Sequence, residues 1–97
     1  MRGVDLPERA ASDIRRVARE HGVKKLALFG SRARGTNGPK SDIDLAVWGC
    51  EDVGAFALAL DEDVWTLLSF DVVDMSAASP ELAAEVEREG VTIYEEI

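Results

Sequence analysis

Residues 42–48 of this 97-residue chain read DIDLAVW, and their strict alternation limits the fold more than any other stretch. Ile43, Leu45 and Val47 recur at every second position, with Asp42, Asp44 and Ala46 between them. That is the period of a strand, whose successive side chains point to opposite faces. A strand with one apolar face needs partner strands and a covering layer, so the chain is expected to build a sheet with helices packed on it. The same alternation puts Asp42 and Asp44 on one face, with Cα atoms about 6.5–7 Å apart. Two carboxylates that close repel, and each has its pKa raised unless a positive charge sits between them.

The remaining elements follow from periodicity and punctuation. Asp5 and Pro7 open a helix whose apolar positions, Ala10, Ile14, Val17 and Ala18, run to a stop at Gly22. Residues 23–29 (VKKLALF) are a first strand ended by Gly30. Residues 31–34 fit a single helical turn capped by Ser31 and closed by Gly35, and the loop TNGPKS leads into the DIDLAVW strand. Glu51 and Asp52 suit a helix N-terminus ahead of Val53, Phe56, Ala57, Leu60 and Val64, with an end or bend near LDEDVW. Residues 69–75 (SFDVVDM) form a third strand. Ser79-Pro80 caps a short helix with Leu82, Ala83 and Val86 inward, and residues 91–94 close as a last strand. Residues 1–97 thus read as a single domain of the α/β (α+β) class, a small mixed β-sheet flanked by helices.

Composition narrows what such a domain can do. Its longest wholly apolar run, Ala55 to Leu60, is six residues, far short of the roughly 20 that span a bilayer. The N-terminus carries no secretory h-region. Cys50 is the single cysteine, so no internal disulfide forms and a cytoplasmic setting is expected. Residues 1–40 hold ten Lys/Arg against four Asp/Glu, and residues 41–97 hold one against fifteen. A net charge of −8 disfavours direct nucleic-acid binding. A small polyphosphate held by the basic part, with cations bridging to the acidic part, suits this division.

The paired acids of the alternating strand suit Mg²⁺, a hard cation that keeps several waters and is commonly completed by substrate phosphates. A third acid comes from FDVVD, where Asp71 and Asp74 have opposite strand parity and cannot both face the pair. Asp71 is preferred, because it sits among apolar neighbours where an idle carboxylate would be costly, whereas Asp74 lies at the strand's end. Gly30-Ser31 has the complementary task. Glycine lets the backbone approach a phosphate, and the free N–H groups at a helix start, with the Ser31 hydroxyl, bind phosphate oxygens. Arg32, Arg34 and Lys40 are cations within reach of the same region. GSRARGT is not a P-loop, since Thr36 stands where the lysine is required. His21, the single histidine, reads as a helix-end residue, and Cys50 reads as a small packing residue.

Gly30-Ser31, ten intervening residues, Asp42-Ile43-Asp44 and then Asp71 resemble the signature of minimal nucleotidyltransferases of the DNA polymerase beta superfamily. The resemblance runs from about Val23 to Tyr94. It implies the polymerase-beta-like nucleotidyltransferase fold and in-line attack of an acceptor hydroxyl on a nucleotide's α-phosphorus, expelling pyrophosphate. It also implies that Asp42 and Asp44 bind two Mg²⁺ ions, with Mn²⁺ able to replace them, and that Asp71 completes the catalytic ion and helps deprotonate the hydroxyl. Gly30 and Ser31 would hold the β- and γ-phosphates, with Arg32, Arg34 and Lys40 as further nucleotide contacts. Larger relatives carry an added acceptor-recognising domain, so recognition is expected from a second copy or another chain. Members of this size resemble those paired with a small helical protein, either a HEPN-type toxin or a substrate-binding partner. In the toxin pairs the nucleotidyltransferase is the antitoxin and transfers AMP from ATP to a tyrosine of the toxin. The alternatives are a non-catalytic module that neutralises or complements a helical partner by covering it, and a nucleotidyltransferase acting on a small molecule such as an aminoglycoside.

Overall fold

The computed structural model describes residues 6–38, 41–64 and 66–96. Helix α1 (Glu8–Glu20) begins after Pro7 and ends at His21, beyond which Gly22 takes the left-handed conformation at φ 69°. Asp5, expected at its start, lies outside the described residues. Strand β1 (Lys25–Phe29) leads through Gly30 into α2 (Ser31–Arg34), one turn closed by left-handed Gly35. Strand β2 (Ile43–Trp48) follows, then α3 (Val53–Asp63), whose first turn is capped by the Asp52 carboxylate accepting from the Ala55 N–H. Strand β3 (Phe70–Asp74) runs into a 3₁₀ turn, Met75–Ala77. Helix α4 (Pro80–Glu89) has Ser79 as its cap, accepting from the Leu82 N–H, and β4 (Val91–Glu95) ends the fold.

The four strands lie in the order β3-β2-β1-β4. β1 is antiparallel to both β2 and β4, and β2 is parallel to β3, so the sheet is mixed as expected. Both faces are covered. Leu26, Leu28, Ile43, Leu45 and Val47 pack with Ile14 and Val17 of α1 and Phe56 and Leu60 of α3. The alternate residues Ala27, Phe29 and Ala46 pack with Val86 of α4. Arg15 ties α1 to the far edge, its Nε donating to the Ile93 carbonyl at 2.8 Å. Asp44 shares its strand face with Ala46, so it sits on the α4 side of the sheet, where β2 begins.

Candidate active site

The site is built where β1 ends beside the start of β2. Phe29 pairs with Asp44, so the next residue, Gly30, passes directly by that carboxylate. Gly30 has φ 75° and ψ −156°, a region open essentially to glycine alone. A β-carbon there would overlap the Asp44 carboxylate oxygen. The expected Ser31 cap of α2 is corrected: Gly30 holds the cap position, no side chain caps the turn, and Ser31 is its first residue. The backbone conformation that brings Gly30 past Asp44 sets the start of the turn. Ser31 is half-buried there, its carbonyl accepting from the Thr36 N–H at 3.0 Å.

Asp71 stands opposite Asp44 in the parallel β2–β3 register, and strand pairs in register share a face. Asp74 pairs with Val47, on the other parity. Its carboxylate accepts from the Ser76 hydroxyl at 2.7 Å and the Ser76 N–H at 3.0 Å, which hold it below the usual carboxylate range. Asp71 is exposed, not sunk among apolar neighbours, because β3 is an edge strand that water reaches. Strand register, not burial, therefore puts Asp71 on the Asp44 face of the sheet. Asp42 precedes β2 and is exposed.

Electrostatics tie the three acids together. Partial burial pushes the Asp44 carboxyl up, and the charges of Asp71, Asp42 and Glu85 push it further in that order, against the pull of Arg34. Glu85, on α4, was not legible as a site residue, since on its helix it reads as one more acid of the polar side. Arg34 is exposed at the end of α2, and its guanidinium meets the Glu89 carboxylate at 2.8 Å. Arg32 is only 3% exposed, its Nε donating to the Ser41 carbonyl at 3.0 Å. Lys40 lies outside the described residues.

Among the described residues no three acids, histidines or cysteines form a ready-made metal cage. The donor set nonetheless suits a divalent cation that keeps its waters. It is all carboxylate, it is open to solvent, and mutual repulsion at Asp44 would be relieved by positive charge. A hollow of about 450 Å³ lies elsewhere, at the opposite end of the sheet between α4 and the Lys25–Trp48 strand pair, and contains none of these acids.

The family model for polymerase beta nucleotidyltransferase domains matches residues 12–96. The chain belongs to that family. It is a nucleotidyltransferase by class, and its mixed sheet flanked by helices is the polymerase-beta-like fold. Nucleotidyltransferases of this fold imply a divalent cation. No curated protein sequence matches the chain. Among solved structures, a toxin–antitoxin complex with AMP-PNP is 27% identical, with a TM-score of 0.70 over 89% of this chain and 73% of that one. A mutant of an MntA toxin–antitoxin complex is 26% identical, with a TM-score of 0.72 over 95% and 75%. A tri-AMPylated Shewanella oneidensis HEPN toxin in complex with MNT antitoxin is 23% identical, with a TM-score of 0.61 over 90% and 71%, a likeness of fold.

Proposed function

We propose that this nucleotidyltransferase transfers AMP from ATP to a tyrosine hydroxyl of a small helical HEPN-type partner and is the antitoxin of such a pair. The observation that carries the reading is the register that sets Asp71 opposite Asp44, with Gly30 passing against the Asp44 carboxylate. Carboxylates for cations and a close backbone approach for phosphate then meet at one place. The AMP-PNP complex of a similar toxin–antitoxin pair supports an adenine nucleotide, and the AMPylated toxin of the Shewanella oneidensis pair supports a protein acceptor.

In this reading Asp42, Asp44 and Asp71 hold two Mg²⁺ ions, or Mn²⁺ in their place. Bound there, the cations would neutralise the triphosphate's charge and make the acceptor hydroxyl easier to ionise. Gly30 brings its backbone against the β- and γ-phosphates, and the Ser31 N–H and hydroxyl donate to their oxygens. Asp71 accepts the tyrosine proton. The phenolic oxygen bonds to the α-phosphorus as the bond from that phosphorus to the β-phosphate's bridging oxygen breaks, and pyrophosphate leaves with that oxygen. Arg34 lies near enough to Asp44 for its charge to pull the carboxyl down, and in this reading its exposed guanidinium turns from Glu89 to the nucleotide's phosphates. Positioning and charge neutralisation provide most of the catalysis, which is why few side chains suffice. A cytoplasmic setting with no direct nucleic-acid contact goes with this reading. Among the described residues no helix is long and apolar enough to cross a membrane.

The test is to co-express the chain with its partner and weigh the partner by intact mass spectrometry. Wild type should add the mass of one or more AMP groups, and Asp42→Ala with Asp44→Ala should add none and fail to neutralise the partner. A double variant that still neutralises an unmodified partner would replace transfer with simple covering.

A further inference from the structure

Asp44 is held by the sheet on both sides, through Phe29 and Asp71. Asp42 is not. It precedes β2, and the ladder first grips the chain at the next residue, where the Ile43 N–H donates to the Ser69 carbonyl at 2.9 Å. A metal ligand outside the ladder has its direction set by the peptide that precedes it, and that peptide carries the Ser41 carbonyl. Arg32 donates its Nε–H to this carbonyl at 3.0 Å, and the residue is 3% exposed. A buried guanidinium is costly unless its donors are satisfied, so it persists where it fixes something. We infer that Arg32 is a positioning residue for metal binding: by pinning the Ser41–Asp42 peptide it aims the Asp42 carboxylate at the point shared with Asp44.

Residue spacing makes this economical. Arg32 lies one residue after Ser31 on the single turn α2, so the element that presents Gly30 and Ser31 to the phosphates also presents Arg32 to the base of the returning loop. The loop is closed locally as well, with the Gly38 N–H donating to the Ser41 hydroxyl at 2.9 Å. One short turn thereby sets phosphate contacts and cation ligands in a common frame. Arg32 is thus assigned to the protein's own backbone instead of to the nucleotide, which leaves Arg34, exposed at the end of the turn, as the cation of α2 for the phosphates.

The inference rests on the metal-binding reading above, and the test separates the two. Mn²⁺ uptake would be measured by electron paramagnetic resonance without nucleotide, and ATP uptake by calorimetry in excess EDTA, for wild type, Arg32→Lys and Arg32→Met. Loss of positioning predicts Mn²⁺ affinity weakened about tenfold or more in the Met variant, partial rescue in the Lys variant, and metal-free ATP affinity unchanged. A role in folding alone would lower Tm and leave the folded protein's Mn²⁺ affinity intact, which would overturn the inference. So would loss of metal-free ATP affinity with Mn²⁺ uptake preserved, which would make Arg32 a phosphate ligand. If the Met variant does not fold, the Lys variant decides on the same two affinities, since an amine cannot reproduce the guanidinium's directed bond. Wild-type protein that takes up no Mn²⁺ would overturn the metal reading itself, and the role of Arg32 with it.

Discussion

At the scale of single residues, the site places charge where folding alone would avoid it. The Asp44 carboxyl titrates above its ordinary value because burial and the charges of Asp71, Asp42 and Glu85 all disfavour ionisation. A group whose folded pKa exceeds its unfolded value favours folding while protonated, and that contribution is lost as pH rises through the folded pKa. At neutral pH the ionised Asp44 therefore works against stability. Asp44→Asn should raise Tm at pH 7 in metal-free buffer, with a gain that shrinks as pH falls through the carboxylate range, while nucleotidyl transfer is lost. Scanning calorimetry at several pH values checks the sign. Gly30→Ala meets the opposite fate: its backbone conformation excludes a β-carbon that would also strike Asp44, so a loss of about 1–3 kcal/mol is expected together with transfer activity. The paired acids and the glycine were legible because strand parity and glycine's special backbone leave a trace in sequence. The burial of Arg32 against the Ser41 carbonyl was not, since an arginine two residues from a glycine reads as a nucleotide contact or a surface residue, and sequence does not show which way the turn rotates it.

At the scale of elements, each boundary has a local cause that can be removed. Ser79 caps α4, and Ser79→Ala should cost about 1 kcal/mol in urea unfolding. The two α4 residues that act on the site, Glu85 through its charge on Asp44 and Glu89 through its ion pair with Arg34, lie beyond the first turn, so fraying that turn should have little effect on transfer. Phe56 is fully buried where α3 meets the sheet, so Phe56→Ala should cost about 3–5 kcal/mol in the same measurement. Periodicity and punctuation together located the strands and helices of the described residues, apolar alternation marking β2, apolar stripes marking α1 and α3, and glycine and serine signals marking the single turn α2. They did not locate the sheet order. Strand order depends on which edges meet, and for that reason Asp71 read as buried when it lies on an exposed edge strand. The start of β2 at Ile43 was equally hidden, since alternation continues through Asp42 although the ladder does not.

At the scale of the whole molecule, the fold brings the basic and acidic parts of the chain together at one point. Gly30 and Ser31 come from residues 1–40, whose formal charge is +6, and Asp42, Asp44 and Asp71 from residues 41–97, whose formal charge is −14. A polyanion bound there with its cations would meet Arg34 as well as the acids, so raising salt should weaken nucleotide uptake while Tm changes little. Transfer of the nucleoside monophosphate to a protein can be read from where the label of ATP ends up. Purified chain, partner protein and Mg²⁺ are incubated with ATP labelled at the α-phosphate in one reaction and at the γ-phosphate in another. Label on the partner from the α position alone, absent with the Asp42→Ala and Asp44→Ala double variant, is the predicted result. Label from the γ position, or label from the α position that survives the double variant, would contradict it.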